Sequence, residues 1–426
     1  MTTAELLLAF FAQLLVIIAA CRLVGWIARR FLGQPQVVGE MIAGVLLGPS
    51  LFGLIAPELQ AQIFPKESRD FLYIGAQLGV GLYMFIVGLG FRSDDFRRNL
   101  GSAGVVSTAG IAVPFLVAVM VAPWLVDLGN LFTPQVETGE AILFLGACIA
   151  ITAFPMLARI IHERGLSGTA LGTLSLSAGA IDDAVAWCVL AIVLASLGDG
   201  PDVAIKAIGG AVAFAAFMVF LGPRLLAPLG RMAEKAGGVN ETILGISMVL
   251  FLACAFAMEL AGIHAVFGGF LLGVMMPRGA LSEGLKKTLE PFTVVVLLPM
   301  FFTFSGLNTQ LTVVSNLTLL EVTLVILAGS IAAKFAACWA AARLTGQDND
   351  TALGIGALMN ARGLMELIII NIGLQRGIIT VELFSIMVVM AIVTTLMATP
   401  LFEWVYGRKA RADGRLGAVV NPDAPP

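Results

Sequence analysis

Charged side chains are scarce in this 426-residue chain: Asp, Glu, Lys and Arg together make up 12% of it, about half the share usual in soluble domains. With 59% hydrophobic residues and a mean hydropathy of +0.97, a water-soluble globule is excluded. Histidine is scarcer still, with only His162 and His264, which argues against a His-ligated transition-metal centre. The five cysteines (Cys21, Cys148, Cys188, Cys254 and Cys338) lie inside apolar segments without CxxC spacing, so neither a thiolate metal site nor a redox pair is expected. A phosphate-binding Gly-rich loop, a nucleophile elbow, an HExxH helix and a basic-aromatic surface for nucleic acid are all missing. Enzyme chemistry, a resident cofactor and a nucleic-acid partner are therefore not expected. The opening residues, Met-Thr-Thr-Ala-Glu, lack the basic stretch that precedes a cleaved leader, so the first apolar segment is expected to stay as a helix.

What the chain has is a succession of apolar runs of about the length that spans a bilayer. Thirteen segments emerge: 5–27, 37–52, 71–91, 103–126, 141–161, 169–197, 203–226, 242–260, 265–277, 293–307, 319–344, 352–374 and 381–406. The fold class expected is an all-α polytopic membrane protein, with one transport domain over 1–406 and a short cytoplasmic tail, 407–426, and no soluble regulatory domain after it. Glycine is plentiful, at 47 residues, which suits tightly packed or interrupted transmembrane helices. The second and ninth segments are short and rich in glycine, and Ala43-Gly-Val-Leu-Leu-Gly48 matches Gly268-Gly-Phe-Leu-Leu-Gly273. Short, Gly-interrupted segments at corresponding places mark an inverted repeat, because copies an odd number of spans apart insert in opposite directions. The expected repeats run over about 37–197 and 265–406. A second corresponding pair is Thr152-Ala-Phe-Pro155 in the fifth segment and Asn360-Ala-Arg-Gly363 in the twelfth, each a helix-breaking polar interruption of a kind tolerated only where backbone lines a cavity or meets protein. With the N-terminus outside and the C-terminus in the cytoplasm, only Lys66, Arg69, Lys206 and Arg376 face outward, while Arg22, Lys334 and Arg362 lie within spans and the other Lys and Arg residues fall on the cytoplasmic side, as the positive-inside rule requires.

An ionisable residue at the bilayer centre costs roughly 2.5–3.5 kcal/mol on insertion scales, so it is a functional candidate by default. Asp182 and Asp183 sit near the middle of the sixth segment. Consecutive helical residues diverge by about 100°, so both carboxylates can border one cavity. Two adjacent acids in low dielectric cannot both ionise cheaply, and the pair titrates jointly, as a carboxylate that trades a proton for a cation must. Lys334, mid-span in the eleventh segment, needs an anion. Pairing with one aspartate leaves the other free for a cation, and the lysine is then either a charge-coupling group or a static brace. Arg362 and Glu366, four apart in the twelfth segment, are expected to share a helix face and to stabilise the interrupted helix. Glu40 and Glu259, nearer helix ends, read as structural, and His264 as a capping or packing residue.

At this point the residues resemble the monovalent cation:proton antiporter-2 family of sodium and potassium/proton antiporters. The resemblance rests on Gln34-Pro-Gln-Val-Val-Gly-Glu-Met-Ile-Ala-Gly-Val-Leu-Leu-Gly-Pro-Ser50, Ile151-Thr-Ala-Phe-Pro-Met-Leu-Ala-Arg159, Ala180-Ile-Asp-Asp183, Gly262-Ile-His-Ala-Val-Phe-Gly268 and Met359-Asn-Ala-Arg-Gly-Leu-Met-Glu-Leu367, the last four resembling the plant-type branch. It implies a six-helix core with two crossing broken helices, a separate dimerisation bundle and hence a homodimer, and elevator-like movement of the core. It implies Asp183 as the main ion and proton carrier, Asp182 paired with Lys334, and Thr152 helping to coordinate a transient Na+ or K+, with Asn360, Pro155, Arg362 and Glu366 in support. The Asp-Asp pair further implies electrogenic exchange, and the expected location is a bacterial inner (plasma) membrane. The same architecture could instead host a sodium-coupled organic-solute symporter or a passive cation channel. A symporter needs a larger polar cavity than two aspartates, one lysine and a few hydroxyls and amides supply, and a non-transporting scaffold leaves the buried acids without a purpose.

Overall fold

In a bilayer the backbone must satisfy its own hydrogen bonds, which a long apolar run does by forming a helix. The computed structural model describes residues 2–91, 93–166, 169–196, 201–261, 265–309 and 316–414, and among them there is no strand, only an isolated bridge between Phe132 and Ile379. In chain order the helices are α1 (Thr3–Leu32), α2 (Gln36–Leu47), α3 (Phe52–Ile55), α4 (Pro57–Ile63), α5 (Arg69–Gly90), α6 (Ser93–Asp127), α7 (Thr138–Ala150), α8 (Phe154–Glu163), α9 (Ala170–Ser196) and α10 (Pro201–Phe220). They continue with α11 (Gly222–Ala236), α12 (Glu241–Ala261), α13 (Ala265–Met275), α14 (Ala280–Phe292), α15 (Leu298–Leu307), α16 (Leu317–Leu344), α17 (Asn349–Leu358), α18 (Leu364–Gln375), α19 (Val381–Phe402) and α20 (Arg408–Ala412). Among the described residues 8 helices are long and apolar enough to cross a membrane, or up to 9 if α10 and α11 form one bent span. The protein is a multi-pass integral membrane protein, and the thirteen expected crossings include short helices and broken pairs that this criterion leaves out.

The chain divides into two compact units. The first comprises Met1–Val24, Ala43–Ser93 and Leu194–Leu307, the second Gly25–Ile42, Asp94–Val193 and Asn308–Pro426. Backbones approach closely in the first unit. Gly44 and Gly48, at the end of α2, lie against Phe302 and Gly306 of α15, so that a Cβ on any of the three glycines would overlap a facing carbonyl. Gly269 and Gly273 of α13 lie in the same way against Gly81 and Phe85 of α5. The second segment thus packs on the tenth, and the ninth on the third. The second segment is interrupted after Leu47, before α3 begins at Phe52, whereas α13 is a short continuous helix whose glycines admit a neighbouring backbone. Gln13 Nε2 donates to the Ile63 carbonyl at 2.8 Å and to Ser68 Oγ at 2.6 Å, and Arg278 donates to the carbonyls of Leu89 and Phe91 at the end of α5. Glu259 accepts from the backbone N–H of Ala265 at 2.9 Å, capping α13.

Two further boundaries differ from expectation. The seventh segment does not run straight to 226. The axis turns by 49° between α10 and α11, where α11 buries Leu226, Leu229, Gly230 and Ala233 and exposes Arg224, Arg231 and Lys235; that amphipathic pattern belongs to an interfacial helix more than to a spanning one. The tenth segment starts earlier than residue 293, because α14 continues through a π-helical stretch, Thr293–Leu297, into α15. A second such stretch, Glu403–Gly407, follows α19. Each comes just after a proline, Pro291 or Pro400, where the missing amide donor has already disturbed the ladder.

Candidate ion-binding site

Two helices of the second unit break in mid-course. The α7–α8 break falls at Ile151-Thr152-Ala153, with Ile151 extended (φ −77°, ψ 138°); the proline at position 155 cannot donate to the Ile151 carbonyl, which removes a ladder bond at the break. The α17–α18 break spans Met359 to Gly363, and Gly363 at φ 156° takes up a backbone conformation that other residues rarely adopt. The breaks meet each other. Ala153 N–H donates to the Ala361 carbonyl at 3.0 Å, and Thr152 Oγ1 donates to the Met359 carbonyl at 2.9 Å. These are the crossing broken helices expected from the fifth and twelfth segments.

A broken helix exposes carbonyls at one new end and amides at the other, and in a low-dielectric interior both must be answered. The carbonyl end of α7 is answered by cations. Lys334 Nζ donates to Ala150 O at 2.5 Å, and the Arg362 guanidinium donates to Cys148 O at 2.7 Å and Ile149 O at 2.5 Å. The carbonyl end of α17 is answered by neutral groups: Asn360 Nδ2 donates to Gly356 O at 3.0 Å, beside the Thr152 contact. Asn360 keeps its side-chain oxygen buried and without a hydrogen-bond partner among the described residues.

The two aspartates of α9 have opposite surroundings although they are neighbours. Asp182 is fully engaged: Lys334 Nζ donates to Oδ2 at 2.7 Å and Ser107 Oγ donates to Oδ1 at 2.6 Å. Lys334 adds a third acceptor, the Gly110 carbonyl at 3.0 Å, so all three ammonium protons are used. Asp183 is 1% exposed, and neither of its oxygens has a hydrogen bond of normal geometry among the described residues. The backbone amide of Phe154, the first residue of α8, acts on it as a donor. A carboxylate buried this deeply is costly as an anion unless a cation or a proton answers it.

The structure therefore brings Asp182, Asp183, Lys334, Thr152, Asn360 and Arg362 together around the crossing. The side chain of Pro155 and all of His264 lie outside the described residues. Arg362 and Glu366 form a buried ion pair across their spacing of four, with 3.7 Å between Nη1 and Oε2, although Arg362 sits in the break and Glu366 in the first turn of α18 and the guanidinium also donates to the carbonyls at the end of α7. Sequence reasoning missed three hydroxyls. Besides Ser107, Thr395 of α19 donates to the Arg362 carbonyl at 2.8 Å, and Ser175, two turns before Asp182, is buried with its Oγ unpartnered among the described residues. Their only signal is a hydroxyl in an apolar helix, which is common because the hydroxyl can bond back to its own helix.

A family model described as "Sodium/hydrogen exchanger, transmembrane" matches residues 5–406. The chain is 38% identical over 403 residues to the Na(+)/H(+) antiporter NhaS4 of Synechocystis sp., covering 94% of this chain and 98% of that protein. It is 31% identical over 407 residues to cation/H(+) antiporter 18 of Arabidopsis thaliana, covering 94% of this chain but 50% of the plant protein. The solved structure of the sodium proton antiporter MjNhaP1 from Methanocaldococcus jannaschii superposes with a TM-score of 0.64 at 16% identity, covering 94% of this chain and 96% of that one, a likeness of fold.

Proposed function

The chain belongs to the sodium/hydrogen exchanger family, and from that premise we propose that it exchanges a monovalent cation, Na+ or K+, for protons across the membrane, with Asp183 carrying both in turn. The observation that carries this reading is the contrast within one helix turn: Asp182 is saturated by Lys334 and Ser107, whereas Asp183 is buried with both oxygens open. Ionised, Asp183 can hold a dehydrated cation, helped by Thr152 at the crossing; protonated, it is neutral and cannot. Proton and cation therefore compete for one carboxylate, and obligatory exchange follows if only the loaded forms reorient.

In this reading the second unit is the moving core, in an elevator-like cycle, and the chain works as a homodimer in a bacterial plasma membrane, N-terminus outside and C-terminus in the cytoplasm. Lys334 is the charge-coupling group: when Asp182 is drawn to the cation, the ammonium loses its anion and can release a second proton, which makes exchange electrogenic. Arg362, Asn360, Pro155 and Glu366 support the crossing. The test is cation-dependent proton flux in proteoliposomes, scanning Na+, K+ and Li+ with the membrane potential clamped. Flux that needs one of these cations, runs in both directions with the gradient and responds to the potential is expected; proton flux indifferent to all three would defeat the reading.

A further inference from the structure

Among the described residues two carboxylates are buried with both oxygens lacking hydrogen bonds. One is Asp183 and the other is Glu366. Glu366 is 1% exposed, and its one ion-pair partner among the described residues, Arg362, makes a long pair with it, 3.7 Å from Oε2 and beyond hydrogen-bond length. That guanidinium is also committed elsewhere, to the carbonyls of Cys148 and Ile149. A carboxylate so deep and so poorly answered is costly as an anion. The ligand that removes the charge without needing space is a proton.

We propose that Glu366 is a second proton-binding site, separate from the Asp183 carrier, and that its proton weakens cation loading at Asp183 by leaving the Arg362 charge uncompensated beside the crossing. This rests on the exchange reading above. The coupling has a short route: Arg362 holds residues 148 and 149 at the end of α7, and the chain reaches Phe154, whose amide acts on Asp183, only five residues after Ile149. With Glu366 ionised, the pair is close to neutral as seen from Asp183. With Glu366 protonated, a full positive charge remains in a low-dielectric interior and opposes the incoming cation. The groups facing Glu366 are few. Arg362 comes from the break and Cys148 from α7, while α19, also packed on α18, contributes no charged side chain among its buried residues.

Two measurements on the full-length protein test this. In proteoliposomes, the apparent KM for the transported cation is followed across pH. Glu366→Gln fixes the site in its uncharged form, and is expected to raise KM at alkaline pH by on the order of fivefold, the low end of ordinary coupling between sites. As pH falls the wild-type KM rises to meet that of the variant, whereas Glu366→Asp keeps the wild-type shape. A Glu366→Gln curve superimposed on wild type, or displaced by the same factor at every pH, overturns the proposal. Infrared difference spectra between acid and alkaline pH need no transport. In Asp183→Asn, which removes the carrier's own signal, the carbonyl stretch of a buried carboxylic acid should appear on acidification, shift when Glu366→Asp is added and vanish when Glu366→Gln is added. A band that persists unchanged in Glu366→Gln overturns the proposal, and if that variant does not fold, a band unmoved by Glu366→Asp does so. Wild-type proton flux that ignores Na+, K+ and Li+ would defeat the exchange reading instead, with the infrared bands still deciding whether Glu366 takes up a proton.

Discussion

The two units bury different things. In the first, helices touch through glycine, and its buried polar residues, among them Gln13, Ser68 and Thr303, carry no charge. In the second lie all the buried charged residues among those described: Glu40, Asp182, Asp183, Lys334, Arg362 and Glu366. Stability alone explains the first pattern, since close backbone packing is what holds helices together where lipid is as apolar as leucine. It does not explain the second. A buried ion pair is often no better for stability than an apolar pair of the same volume, so a unit that gathers six buried charges keeps them for what they do. The contrast separates a packing scaffold from a site, and the variants below try to break it.

The largest effect belongs to Asp183→Asn. The amide is nearly isosteric with the acid but neither binds a proton reversibly nor neutralises a dehydrated cation, so cation/proton exchange in proteoliposomes should fall to background while expression and thermal unfolding stay near wild type. Exchange at close to the wild-type rate would show that the open carboxylate of the second unit is not the carrier.

Next comes Lys334→Gln, which strands the Asp182 charge and leaves Ala150 O without its cation; removing one partner of a buried pair costs about 3–5 kcal/mol, read as a lowered unfolding temperature in detergent. Asp182→Asn added to it removes the stranded charge and should restore most of the loss. Stability cannot distinguish a brace from a coupling group, but the response to an imposed potential can. If that response persists in the double variant, charge coupling does not pass through Lys334, and the pair is a brace.

The same contrast explains what could be read beforehand. Asp182, Asp183 and Lys334 were legible because a charge in an apolar run has no cheap explanation, and Thr152 and Asn360 because each sits beside a Pro or Gly that breaks a helix. Ser107 was not, since nothing local distinguishes a hydroxyl that donates to a carboxylate across helices from one that bonds to its own turn. The glycines at 44, 48, 269 and 273 were visible as a motif, but the close approach they allow was not, because the partner backbone, here Gly306 and Phe85, is far away in sequence. The spacing of four made the Arg362–Glu366 ion pair legible, but not the contacts of Arg362 with the carbonyls of Cys148 and Ile149, which lie far away in sequence.

In the first unit, Gly306→Val should act on packing alone. Its Cβ would overlap the Gly44 carbonyl and crowd the Val45 amide, backbone atoms that cannot turn aside as a side chain could, so a cost at or above the usual 1–3 kcal/mol of overpacking, roughly, is expected. The fraction that folds should keep the wild-type apparent KM for the cation at every pH. A changed pH dependence would mean that the scaffold and the site are not separable in this way.

The smallest effect returns to the second unit but to its surface, and asks whether burial or mere membership of that unit gives a charge its role. Asp348 caps α17, the half-helix that ends at the crossing, accepting the Thr351 backbone N–H at 3.0 Å. It is solvent-exposed, and hydrogen bonds from the Thr351 side chain and backbone hold its carboxyl below the usual range. A carboxyl lowered in the folded state contributes stability that is present above its unfolded value and is lost as pH falls through the folded one, so its contribution is complete at neutral pH and disappears only in acid. Asp348→Ala should cost about 1 kcal/mol, the ordinary worth of an N-cap, with the difference from wild type shrinking in acid when unfolding is followed against pH. Exchange should be unaffected in KM and in voltage response, because the capped end of α17 lies a full half-helix from the crossing. A loss of exchange comparable to that of Asp183→Asn would mean that acids of this unit act together whatever their depth, and the distinction drawn from burial would fail.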